Sequence, residues 1–246
     1  MKYKPEYIVV GMPKAGTSSI AKFFKCGGHR HVSHQQCGRQ ICAKCIWNNV
    51  QRKRQPFYGC DQFSVYAQLD YADPPKFCFF PQRNLTLLHE SYPHSTFILN
   101  TRNPIHWINS VNNWGSLRAR LAKCNLSAYD LHDDAQLIRF YDEHSEYVRR
   151  FAREHQHALI EVDIEQNASA LVAHTGIGAS CFSDENTKKH VNQHSCYVGD
   201  SLLRNLWCWR ERGTIANCSG HTDLAGRSSR FFWKPTLDDV TRGNYT

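Results

Sequence analysis

"YIVVGMPKAGTSSI", residues 7–20, decides the fold. Tyr7–Gly11 is a short β-branched run ending in glycine, with Pro13 just beyond, which predicts a buried strand entering a tight turn. From Thr17 to about Lys25, Ile20, Phe23 and Phe24 recur at helical spacing, so a helix follows. The loop Met12–Thr17 therefore joins a strand to a helix N-terminus, where main-chain N–H groups converge and the helix dipole adds partial positive charge. Gly16 lets the main chain approach an anion, and Thr17, Ser18 and Ser19 add hydroxyl donors. A Walker A phosphate loop reads G-x-x-x-x-G-K-[ST]. Gly11 and Gly16 keep that spacing, yet Thr17 stands where the lysine belongs and Lys14 lies inside the loop. A generic tight turn is the plain alternative.

Outward from this stretch, strand and helix patterns alternate. Residues 29–34 and Phe63–Leu69 read as short strands, Thr96–Asn100 and Ala158–Ile164 as buried ones. Helical spacing covers Gln40–Arg54, Pro81–Tyr92, a long run from Pro104 to about Lys123, Asp133–His155 and Ala168–His174. Beyond Gly176 the pattern weakens, and only Ser201–Arg212 looks helical. Such alternation implies βαβ units, hence an α/β fold: a three-layer sandwich, like that of P-loop NTPases, around a central parallel sheet. The 246 residues read as one domain, with a Cys/His-rich excursion at about 26–60 and a weakly patterned C-terminal part from about 176. No apolar run reaches the roughly 18 residues that span a membrane, and no signal peptide is visible.

The formal charge of +8 suits an anionic ligand. No basic stripe or RNA-binding signature accompanies it, so nucleic acid is not the expected partner. Eleven cysteines are many for a cytosolic protein. Five N-x-[ST] triplets, at Asn84, Asn125, Asn167, Asn217 and Asn244, exceed the roughly two that chance predicts. Together they point to a secretory lumen and a glycoprotein. The absence of a leader points the other way, towards cytoplasm, unless an anchor lies outside this chain.

Ligands of open parallel sheets bind at the carboxyl ends of the strands. A second phosphate-grade element lies at such an end: in "TRNPIHWINSVNNW" (101–114), Arg102 ends a strand and Ser110 follows eight residues later. Arginine grips phosphate with its planar fork and serine adds one bond. Alone, an arginine like Arg102 is more often a surface ion-pair partner, and Ser110 an ordinary helix residue. Trp107 and Trp114 on the following helix read as core.

"PKAGTSS" resembles the 5′-phosphosulfate loop of sulfotransferases that use 3′-phosphoadenosine-5′-phosphosulfate (PAPS), and "RNPIHWINS" resembles their 3′-phosphate element. The resemblance is strongest over residues 7–20 and 96–114. It implies sulfuryl transfer from PAPS to a hydroxyl or amine without a metal. Lys14 would meet the bridging oxygen as it gains charge, the amides of Ala15, Gly16, Thr17 and Ser18 would take the 5′-phosphate, and Arg102 and Ser110 the 3′-phosphate. Ser19 occupies the place where members acting on phenols and steroids carry an adenine-stacking tryptophan. Their C-terminal glycine-rich motif has only "LAGRSSRFFWK" (224–234) as a substitute. Both departures lean towards the carbohydrate-modifying, Golgi-type branch and a glycan acceptor. In that branch the base lies soon after the second strand, which makes His34 the first choice, with Asp61 and Asp70 as runners-up.

Two other readings stand beside this one. A nucleotide kinase or NTPase would need Mg²⁺, and the absent G-K-[ST] is against it. A sulfotransferase-like binding protein without chemistry is the other. The crowding of Cys26, His29, His31, His34, Cys37, Cys42 and Cys45 also suits zinc, but only one C-x-x-C pair is present, Cys42-x-x-Cys45, where a strong signal needs two. Disulfides from this excursion to Cys60 or Cys78 are the luminal alternative, and no metal is expected.

Overall fold

A computed structural model describes residues 4–29, 32–33, 35–124, 126, 129–166 and 168–182, together with four two-residue strands between positions 197 and 215. Five strands form the central sheet: β1 (Tyr7–Val9), β2 (Val32–Ser33), β3 (Val65–Tyr66), β4 (Thr96–Thr101) and β5 (Leu159–Asp163). Their order is β2-β3-β1-β4-β5, and every neighbouring pair is parallel. Among the described residues seven α-helices accompany them: α1 (Thr17–Cys26), α2 (Cys42–Gln51), α3 (Leu85–Ser91), α4 (Pro104–Asn112), α5 (Leu117–Lys123), α6 (Asp134–Glu154) and α7 (Ser169–Thr175). The expected α/β sandwich is the fold.

Strand side chains alternate between faces, and the two cores follow that period. Ile8, Val10, Tyr66, Phe97 and Leu99 pack with α2, α3 and α6 through Ile46, Leu85, Leu88, Val148 and Phe151. Val9, Val65, Ile98, Ile160 and Val162 pack with α1 and α7 through Ile20, Phe23, Phe24 and Leu171. A third cluster joins loop residues Met12 and Ala15 to α4, α5 and α6 through Trp107, Val111, Leu121, Leu137, Phe140 and Tyr141. The Met12–Thr17 loop thus rests on packed side chains.

Several elements differ from their expected extents. The long helix from Pro104 breaks into α4 and α5, because Gly115 turns the chain with a left-handed φ of 54°. The Pro81–Tyr92 helix is a 3₁₀ turn (Pro81–Arg83) followed by α3, whose N-cap Asn84 accepts from the Leu87 amide. The Phe63–Leu69 strand shortens to two residues, and a hairpin of Tyr71–Asp73 with Phe77–Phe79 went unforeseen. Residues Met1–Gln193 make up one compact unit and His194–Thr246 another. In the second, Tyr197–Val198 pairs antiparallel with Leu206–Trp207, and Trp209–Arg210 with Thr214–Ile215. Leu206–Trp207 and Trp209–Arg210 are strands, where a helix was expected over Ser201–Arg212, whose other residues lie outside the described ones. The stretch 224–234 lies outside the described residues, as do the sequon asparagines at 125, 167, 217 and 244.

Four disulfides tie the first unit together: Cys26–Cys181, Cys37–Cys42, Cys45–Cys60 and Cys78–Cys124. Cys42 and Cys45 each have a different sulfur partner, so that pair presents no thiolates to zinc. Cys45–Cys60 is one of the bridges expected for a luminal protein. Disulfides on this scale point to an oxidising, secretory-type environment. Among the described residues no helix is long and apolar enough to cross a membrane.

Candidate functional site

The strand order creates the site. The chain leaves β1 through α1 towards β2, on one side of the sheet, and leaves β4 through α4 and α6 towards β5, on the other. Between adjacent β1 and β4 the connections diverge, and a crevice opens at their carboxyl ends. The Lys14 loop flanks it from β1 and Arg102 from β4.

Backbone geometry shapes the loop. Gly16 caps α1 with φ 97°, and a Cβ there would lie 2.4 Å from Ile164 Cδ1. Gly11 passes so close to β4 that a Cβ would sit 2.2 Å from Asn100 Oδ1. Asn100, buried on β4, donates through Nδ2 to the Ala15 carbonyl at 2.8 Å, and Trp107 Nε1 donates to the Pro13 carbonyl at 2.8 Å. Lys14 itself has a left-handed backbone, φ 68°. The Ala15 amide donates to the Met12 carbonyl at 3.2 Å and the Ser19 amide to Gly16 at 2.9 Å, so both bonds close the turn. Helix α1 starts at Thr17, so its N-terminus, with the convergent amides of a first turn, lies at the end of this loop. Thr17 and Ser19 are buried, whereas Ser18 is exposed.

Lys14 extends its ammonium over the Trp114 ring, 3.7 Å from the centroid. Trp114 is 59% exposed, contrary to its expected place in the core; Trp107 is fully buried and stacks on Tyr141. Burial pushes the Lys14 pKa down, and the Arg102 charge pushes it further in the same direction. A half-buried ammonium beside a guanidinium makes a crevice suited to an anion.

Arg102 is buried, 6% exposed, and turned inward. Its own amide donates to Tyr141 Oη at 2.9 Å, and that hydroxyl donates back to the Arg102 carbonyl at 3.2 Å. Arg102 Nη1 reaches the Lys14 carbonyl at 3.4 Å, so the loop after β1 and the segment after β4 meet. The guanidinium also pairs with Glu165, two residues past β5: Nε to Oε1 at 2.9 Å, with Nη2 on the same oxygen. Glu165 Oε2 accepts from the Asn103 amide at 3.2 Å and pairs with His106 Nδ1 at 2.9 Å. Burial alone would raise the Glu165 pKa; the His106 bond and the Arg102 charge outweigh it and bring the group to about 2. Ser110 is half-buried on α4, one turn beyond His106 and hence on the same helix face.

The proton acceptors fare differently. His34 lies outside the described residues. Asp61 is exposed, with a left-handed backbone. Asp70 is buried beyond the carboxyl end of β3, next to β1. Desolvation drives its pKa up to about 6 against the neighbouring Gln68, Gln82 and Arg120 side chains, which favour the ion. Gln68, two residues before it, accepts from Thr17 Oγ1 at 3.4 Å, which links this segment to the loop. Glu165, His106, Trp114, Asn100 and Gln68 were missed in the sequence; Asn100 and Glu165 lie at the carboxyl ends of expected strands, but nothing local pointed to their partners.

Residues 6–118 match a family model described as a sulfotransferase domain. No curated protein matches the chain. The matched stretch, less than half of the chain, carries β1 to α4, including Lys14 and Arg102, and is similar to a sulfotransferase domain.

Proposed function

We propose that the protein transfers the sulfuryl group of PAPS to a hydroxyl or amine, on a carbohydrate acceptor. The observation that carries this reading is the contact of Arg102 Nη1 with the Lys14 carbonyl across the β1/β4 crevice. It brings an ammonium, a helix N-terminus and a guanidinium together, as a donor with two separate anionic groups requires. In this reading Gly16, Thr17 and Ser18 hold the 5′-phosphate, with Ala15 and Ser19 shaping the turn, and Lys14 neutralises charge on the bridging oxygen. Ser110 assists Arg102 at the 3′-phosphate. Arginine has five N–H donors. Three are assigned here, leaving one on each terminal nitrogen for phosphate while Glu165 stays bound.

Transfer needs one proton acceptor and no metal. Asp70 fits that role best among the described groups, since its raised pKa keeps it basic enough to take a hydroxyl proton and its segment bonds to the loop. His34 is the competing assignment. Radiolabel transfer from PAPS to a glycan panel in EDTA tests the activity, and Asp70→Asn against His34→Ala separates the two bases. A binding protein without chemistry would retain nucleotide affinity and label nothing. A kinase would need Mg²⁺ and ATP.

A further inference from the structure

Residues 39–60 carry five cations, Arg39, Lys44, Arg52, Lys53 and Arg54, and no aspartate or glutamate. All five side chains are exposed. Elsewhere in the unit Arg102, Arg118, Arg139 and Arg149 pair with carboxylates. Among the described residues none of these five does. The next carboxylate, Asp61, lies against Gly38. Within the segment itself no acidic residue offsets these charges.

The segment also contains a cleft of about 210 Å³, lined by Gln40, Asn48, Arg52, Arg54, Tyr58 and Gly59. Its walls are fixed from within. Buried Asn49 donates through Nδ2 to the Pro56 carbonyl at 2.9 Å and the Tyr58 carbonyl at 2.6 Å. The Arg54 amide donates to the Asn49 carbonyl at 2.9 Å, and Cys45–Cys60 closes the loop onto α2. Arg54 lies 5.5 Å from the Tyr58 ring, which is 63% exposed. Two arginine forks, two side-chain amides and an open aromatic face thus stand on a rigid frame, away from the Lys14 loop in sequence.

We propose that this cleft is an exosite for a polyanionic polysaccharide bearing sulfate or carboxylate groups. Arg52 and Arg54 would grip the acid groups, Asn48 and Gln40 the hydroxyls, and Tyr58 the apolar face of one sugar ring. The choice of polysaccharide over nucleic acid rests on the sulfotransferase reading and on the oxidising environment that four disulfides imply. An exosite of this kind holds an acidic acceptor chain on the enzyme between transfers.

The test is fluorescence anisotropy with a labelled heparin-derived octasaccharide, across a salt series and without donor. Arg52→Ala/Arg54→Ala should weaken binding about 5–10-fold near 0.15 M salt and flatten the salt dependence. Tyr58→Ala should weaken it about threefold. Arg150→Ala/Arg153→Ala, which removes the same charge from α6, should leave affinity unchanged; all variants should melt like the parent. Equal losses from the α6 variant, or no loss from the cleft variants, would overturn the exosite. Equally tight binding of a single-stranded DNA of matched charge through the same arginines would overturn the polysaccharide assignment. Because no donor is present, a protein that binds the octasaccharide but transfers nothing leaves the exosite standing and sinks only the catalytic reading.

Discussion

Replacing Arg102 perturbs two things at once, and the structure says how to separate them. Arg102→Ala removes two of the donors on Glu165 and leaves the Asn103 amide and His106. Breaking a buried ion pair costs about 3–5 kcal/mol. The Glu165 side chain is 11% exposed and keeps two partners, so about 2–3 kcal/mol is expected here after solvent screening. For a chain of this size that lowers Tm by about 5–10 °C. The pH sign follows from the Glu165 pKa, which is depressed from 4.5 to about 2. The pair's stabilisation is present above about 4.5 and is lost as pH falls towards 2. Adding Glu165→Gln removes the stranded charge, so the double variant should recover at least about 1 kcal/mol. Denaturant melts establish these stabilities, and calorimetry with adenosine 3′,5′-bisphosphate then reads binding alone. Relative to Glu165→Gln, the double variant should bind about 10–150-fold more weakly, the cost of a charge-assisted phosphate contact. Glu165→Gln alone should bind tighter than wild type, because Arg102 loses its counter-charge. Refutation would be a double variant of restored stability that binds the bisphosphate like the parent.

Asp70→Asn should stabilise the protein by about 2 kcal/mol at pH 8 and little at pH 4. The sign follows because the Asp70 pKa is raised from 3.8 to about 6: its favourable contribution is complete below 3.8 and is lost as pH rises through 6. Guanidinium melts at the two pH values check this, and the same variant should lose transfer activity. In the wild type, kcat/KM should rise with pH through about 6. Trp114→Ala should lower kcat about 3–10-fold by releasing the Lys14 ammonium, and Trp114→Phe should restore most of it. Gly16→Ala should fail to accumulate as folded protein, since its Cβ meets Ile164 and its φ is left-handed; circular dichroism of the purified chain reads this.

The loop was legible because its chemistry is local: two glycines, a proline and a strand-to-helix switch lie within a dozen residues. Arg102 was legible for the same reason, since TFILN runs straight into it. Its Glu165 partner was not, because 63 residues separate them and only strand order brings β4 beside β5. Trp114 was misread from helical spacing alone: the turn at Gly115 ends the helix and leaves the ring in solvent over Lys14. The split of the 104–123 helix has the same cause. The cysteine pairings were only partly readable, because Cys26–Cys181 spans 155 residues of intervening fold.

The most direct measurement is a calorimetric titration of adenosine 3′,5′-bisphosphate into the wild-type chain in EDTA, repeated with Lys14→Ala. One saturable site is expected, weakened by the lysine variant, with ATP binding far less tightly with or without Mg²⁺. No heat of binding, or tight Mg²⁺-dependent ATP binding instead, would contradict the assignment of the β1/β4 crevice to a doubly anionic adenosine.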